Sequence, residues 1–158
     1  MFYTRRRGVY VVQCLTMDDK MAKAGRISLR IPEKLREELS GVARGERRPL
    51  SAVVRDLLEE ALKMRRCPGI IFVDGPTGRR PVIAGTGLEV WEIVRTYRSC
   101  NGDFEKLREA YPWLSPRQLR DALNYWRAYP EEIEEEIRQQ EEAAARAREL
   151  YPHLFPTR

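Results

Sequence analysis

The sequence predicts a mainly α protein with short β segments: a small dimerising module, a compact helical domain and a long C-terminal helix. Three observations carry this. Residues 26–31 alternate polar and apolar without exception and pass at Pro32 into helical spacing. Cys67-Pro68-Gly69 breaks the chain, and short apolar runs followed by capped helical segments come after it. Residues 131–149 are charged and alanine-rich, with apolar residues at wide helical intervals.

The elements follow in order. Residues 1–24 read as a flexible tail. Arg5-Arg6-Arg7 ahead of Val9 to Leu15 has the faint outline of a signal peptide. That stretch holds Tyr10 and Gln13 and runs into Asp18-Asp19 without a small-residue cleavage site, and Met17 is an alternative start. Arg26-Ile-Ser-Leu-Arg-Ile31 has the period of a strand, with Ile27, Leu29 and Ile31 on one side and Arg26, Ser28 and Arg30 on the other. Pro32 can open a helix as its first residue. Leu35, Leu39, Val42 and Ala43 keep helical spacing, and Gly45 stops it. Ser51 is the expected N-cap of a second helix over 52–66. Its apolar positions, Val53, Val54, Leu57, Leu58, Ala61, Leu62 and Met64, form a stripe too broad for a lone helix pair to cover. One strand cannot make a sheet alone either. Both facts predict a homodimer over 25–66, with dimers or tetramers left open.

Beyond the break, 70–73 is a strand, 74–78 a turn and 80–83 a short edge segment containing Pro81. Gly85-Thr86-Gly87 turns the chain. Helices follow around Val90 to Tyr97 and, capped by Asp103, around Phe104, Leu107 and Ala110. Ser115-Pro116-Arg117-Gln118 is a capping box, opening a helix with Leu119, Ala122, Leu123 and Trp126 inward. Two helices about a Tyr-Pro turn look like a helix-turn-helix. Pro130 ends the 67–130 domain, and 131–158 is an acidic helix, expected to be exposed, with an aromatic tail.

Charge divides the chain the same way. The total is +5, from 29 basic and 24 acidic side chains. Residues 1–66 carry +7, 67–158 carry −2, and 131–149 alone carry −5. A basic head and an acidic tail predict two different partners. Cys14, Cys67 and Cys100 lie far apart without a CxxC pair, and His153 is the only histidine. Reduced thiols in the cytoplasm are therefore expected, with no cofactor and no zinc site. No apolar run of about 18 residues exists to cross a membrane. No catalytic constellation stands out, so an enzyme is not expected.

The 26–66 segment resembles the ribbon-helix-helix family of bacterial DNA-binding proteins, through Arg26 to Pro32, the Pro-Glu helix start and Ser51. The resemblance implies a paired ribbon in the major groove of operator DNA. Arg26, Ser28 and Arg30 would then face the bases, since arginine can bond guanine bidentately. Ser51 and Ala52 at a helix start, with Arg47 and Arg48 before them, are the expected phosphate contacts. The block from Arg80-Pro81-Val82-Ile83-Ala84-Gly85-Thr86-Gly87 to Val94 resembles the family called domain of unknown function 433. So do Tyr111-Pro112-Trp113-Leu114-Ser115 and Ala122-Leu123-Asn124-Tyr125. The resemblance covers about 68–130, although members often carry arginine where this chain has Gly87. It implies a homeodomain-like core and an antitoxin of the VapB type, encoded beside a toxin with a PIN-like ribonuclease fold. In that role Arg138, Arg146 and Arg148, with Tyr151, Leu154 and Phe155, are the expected toxin-binding residues. The alternative is a stand-alone transcriptional regulator whose C-terminal half serves oligomerisation.

Overall fold

The structure is a computed structural model. It describes residues 28–75 and 78–154, together with the two-residue strands β1 (Arg5–Arg6) and β2 (Val9–Tyr10). Two compact units are present, Met1–Val54 and Arg55–Arg158. Among the described residues there are six α-helices and two small antiparallel sheets.

In the first unit, β1 pairs antiparallel with β2, Arg6 opposite Val9. Arg26 and Ile27 of the expected ribbon lie outside the described residues. Ser28 to Ile31 are exposed and form no strand. The expected strand is thus absent over 28–31: its ladder bonds need a neighbouring strand, and among the described residues none pairs with this segment. Helix α1 spans Glu33–Gly45. Pro32 stands one place outside it, at the N-cap, rather than as its first residue. Gly45 ends the helix as expected, and Glu33 sits in the first turn, where the helix dipole favours an acid. Helix α2, Leu50–Arg66, opens one residue before Ser51. Ser51 is therefore inside the first turn and not the cap, because Pro49 sets the entry and its carbonyl accepts from the Ala52 and Val53 amides at 3.0 and 3.2 Å.

The division between units falls within α2, upstream of Cys67-Pro68-Gly69. The later turns of α2 are tied into the second unit: Glu60 is buried and bonded by Arg79, and Lys63 Nζ lies 2.7 Å from Glu132 Oε2. Strands β3 (Ile70–Gly75) and β4 (Gly78–Ile83) form an antiparallel hairpin with Ile70 opposite Ile83 and Phe72 opposite Pro81. Ile70 and Ile83 are buried, whereas Ile71 and Val73 point outward. Helices α3 (Val90–Ser99), α4 (Phe104–Ala110), α5 (Pro116–Ala128) and α6 (Pro130–Leu150) follow, then a short 3-10 turn, Pro152–Leu154. Helix α3 packs on α4, α5 and α6, and α5 also meets both strands. Val90, Ile93, Val94, Leu107, Leu119, Leu123 and Ile133 fill the core.

Local signals set the helix starts. Asp103 accepts from the Glu105 and Lys106 amides. At α5 the Ser115 N–H donates to Gln118 Oε1 at 2.9 Å and the Gln118 N–H donates back to Ser115 Oγ at 3.3 Å. Ser115→Ala removes the cap acceptor. It should cost about 1 kcal/mol, read as a lower urea midpoint at unchanged slope, and Ser115→Thr should recover most of it.

Two expectations change. Tyr125, not Trp126, is the fully buried aromatic of α5; Trp126 is half-buried. A buried phenol needs a partner, and Glu132 accepts from the Tyr125 hydroxyl at 2.9 Å. Helix α6 is not exposed throughout. Ile133 and Ile137 are buried in the core, while most residues from 141 onward face solvent.

Candidate functional site

In the first unit, the α1–α2 turn gathers cations. Arg47 adopts a left-handed backbone (φ 54°), uncommon for a non-glycine residue. The Arg48 amide bonds the Ala43 carbonyl at 3.0 Å. The turn so formed leaves a shallow cavity of about 530 Å³, lined by Ser40, Ala43, Arg44, Arg47, Arg48, Pro49 and Leu50. Three arginines beside one hollow attract anions; Arg48 also reaches Glu46 Oε2 at 3.2 Å. Of the expected phosphate contacts, Arg47 and Arg48 therefore come together. The Ala52 amide does not join them, since Pro49 takes it, and Ser51 is exposed within the helix. Ser28 and Arg30 are exposed.

Apolar side chains also stand in solvent. On α1 they are Leu35 and Val42; on α2 they are Leu57, Leu58 and Leu62, the last 65% exposed. By contrast Ala43 and Val53 are buried.

In the second unit a charged cluster lies beneath the β4–α3 turn. Arg80 is buried; its Nη1 donates to Glu89 Oε2 at 2.9 Å and lies 3.4 Å from Glu136 Oε1. The Trp91 indole N–H donates to the same Glu89 carboxylate at 2.5 Å. Glu89 and Glu92 also form the capping box that opens α3. Two acids at a helix start leave it ill suited to phosphate. The Gly85-Thr86-Gly87 turn instead serves structure: both glycines have positive φ, and Thr86 Oγ1 bonds the Ile83 carbonyl and the Leu88 amide.

Burial pushes the Glu136 carboxyl above the ordinary carboxylate range, and Arg80 pulls it partly back. The Arg98 hydrogen bond holds Glu134 below that range, helped by the Trp126 indole N–H, 2.9 Å from Glu134 Oε1. Glu132, Glu134 and Glu136 thus pair with Lys63 on α2, Arg98 on α3 and Arg80 on β4. Nothing in the sequence pattern of 131–149 identified these acids, since their partners are distant in the chain.

The expected partner-binding residues separate. Arg138 is bonded along its own helix to Glu135, at 2.6 and 2.9 Å, and to Glu142. Those carboxylates hold it firmly charged. Arg146 and Arg148 are exposed. Tyr151 is half-exposed, its ring edge-on to His153. Leu154 ends the 3-10 turn, and Phe155 lies outside the described residues. Among the described residues no group of three His, Cys, Asp or Glu is placed to hold a metal ion, and no helix is long and apolar enough to cross a membrane.

The second unit is a small helical domain built around a β-hairpin. Residues 74–126, about a third of the chain, match the family described as Protein of unknown function (DUF433). The match lies inside the segment that resembles that family in sequence, and the description states no activity. The ribbon-helix-helix resemblance of 26–66 gains no support from it. No curated protein and no solved structure matches the chain.

Proposed function

We propose that the protein is a cytoplasmic type II antitoxin that also represses its own operon. Residues 25–66 form a ribbon-helix-helix dimer on operator DNA. The C-terminal half, with a homeodomain-like helix-turn-helix at its centre, neutralises a PIN-like ribonuclease toxin. The observation that carries the reading is the state of the N-terminal segment. Leu29 and Ile31 stand 68% and 40% exposed ahead of α1, in an alternating segment flanked by arginines. A second copy supplies both the missing strand and a cover for them, and places Arg26, Ser28 and Arg30 of each copy on one face. The similarity to the DUF433 family supports the antitoxin half through what that resemblance implies.

A gel-shift titration with DNA from upstream of the gene tests the first half. Arg26→Ala with Arg30→Ala should weaken specific binding at least tenfold, at about 1–3 kcal/mol per lost base contact. Undiminished specific binding refutes the ribbon. Co-expression with the product of the adjacent reading frame tests the second half: a stable complex and restored growth are expected. Specific DNA binding without complex or rescue leaves a stand-alone regulator, with the exposed Leu150 and Tyr151 serving oligomerisation.

A further inference from the structure

We propose that the exposed face of α5 is a second surface for double-stranded DNA, built from Arg117, Arg120, Asn124 and Arg127. It does not rest on the ribbon reading, because every residue involved lies in the C-terminal unit.

All four side chains are exposed. Their spacing of three, four and three residues puts them within an arc of about 80°, along about 15 Å of helix. Leu119, Ala122, Leu123 and Tyr125 fall on the buried side. The face is therefore held rigidly on the core. The one acid of this helix is Asp121, whose side chain is 24% exposed, with its Oδ2 3.8 Å from Arg117 Nε. Solvated helix faces commonly balance their charges, as α6 does where Arg138 is matched by Glu135 and Glu142. On α5 three arginines face one largely covered acid, so positive charge is left in excess.

The side-chain types fit a duplex. The Arg127 Nη1 donates to Asn124 Oδ1 at 3.1 Å, setting the two side by side. Arginine reads guanine and asparagine reads adenine bidentately in the major groove, which is about 12 Å wide and admits a helix. The Arg120 guanidinium lies over the Phe104 ring, 5.3 Å from its centroid, which restrains it near the surface. A guanidinium has five donors, so these contacts leave it able to bond phosphate. Protein interfaces centre on aromatic anchors, and this face holds none. The nearest exposed aromatic along the chain is Trp113, in the turn before α5 and 69% exposed.

Fluorescence anisotropy of a labelled, arbitrary-sequence duplex tests the proposal with the full chain. Arg26→Ala/Arg30→Ala is used as background, so that loss of the ribbon contacts and loss of the α5 contacts are read separately. In that background Arg117→Gln/Arg120→Gln/Arg127→Gln should weaken binding at least tenfold at low salt. It should also flatten the slope of log affinity against log salt by about 2–3, given roughly 0.9 per phosphate contact. Arg117→Gln/Arg127→Gln, which keeps Arg120 on Phe104, should flatten it by about 2 and leave the circular dichroism melt unchanged. Trp113→Ala should leave duplex binding as it is. The proposal is overturned if affinity and salt slope survive the arginine substitutions. It is also overturned if those substitutions abolish binding of poly-glutamate but not of the duplex, which would make the face a site for an acidic protein.

Discussion

Ile133→Ala is expected to destabilise the C-terminal unit by about 2–4 kcal/mol, a large share of a small domain's stability. Ile133 has no solvent-exposed surface and belongs to the core cluster with Tyr125 and Leu123. Shortening it removes buried methyl groups and leaves a cavity between α6 and its neighbours. The sign of the effect separates two structures. Were α6 a solvated helix, alanine would be the better helix former by a few tenths of a kcal/mol, and the variant would be slightly more stable. Urea unfolding followed by the fluorescence of Trp126, half-buried and bonded to Glu134 on α6, reads the difference. Ala144→Gln, at an exposed position of the same helix, should move stability by less than about 0.5 kcal/mol. An unchanged or raised midpoint for Ile133→Ala would return α6 to the solvent.

What was legible in the sequence follows from the range of the forces involved. The capping box at Ser115, the Asp103 cap and the stop at Gly45 depend on residues within one turn, and all three stand where the pattern puts them. Helix α2 starts two residues earlier than the pattern puts it because Pro49, two residues ahead of the expected cap, sets the entry. The β3–β4 hairpin was legible from two short apolar runs about a turn. The burial of the first half of α6 was not. Glu132, Glu134 and Glu136 give that segment the composition of a surface helix, and their cations lie 36 to 69 residues earlier in the chain. The alternating 26–31 segment marks the opposite limit. Its period fixes which side chains share a face, but a strand exists only when another strand bonds it. The arginines of the candidate DNA face at the α1–α2 turn were legible as a basic run. The hollow they share needed the left-handed Arg47 to form.

Arg80→Met is expected to cost about 3–5 kcal/mol near pH 7, as for a buried ion pair that loses one partner. The buried guanidinium stands between two carboxylates, 2.9 Å from Glu89 and 3.4 Å from Glu136. Methionine fills much of the volume but leaves both acids facing each other. The pH dependence follows from Glu136. Burial raises its pKa in the folded protein, and the Arg80 charge opposes that rise. A carboxyl whose pKa is raised by folding binds its proton more tightly in the folded state. Its contribution is therefore fully present below the unfolded value, about 4.3, and is lost as pH climbs through the folded value. Removing Arg80 raises the folded value further and deepens that loss. The destabilisation by Arg80→Met should thus be smaller at about pH 4.5 than near pH 7. Carboxyls shifted the other way, such as Glu134 beside Arg98, are common to both proteins and cancel in the difference. Urea unfolding of both proteins at the two pH values reads the effect, and an equal cost at both would show that Glu136 does not feel Arg80. Adding Glu136→Gln to Arg80→Met removes the group whose charging the variant penalises. The double variant should regain part of the loss near pH 7 and show a flatter profile, because an uncompensated buried charge costs more than a neutral group in the same place.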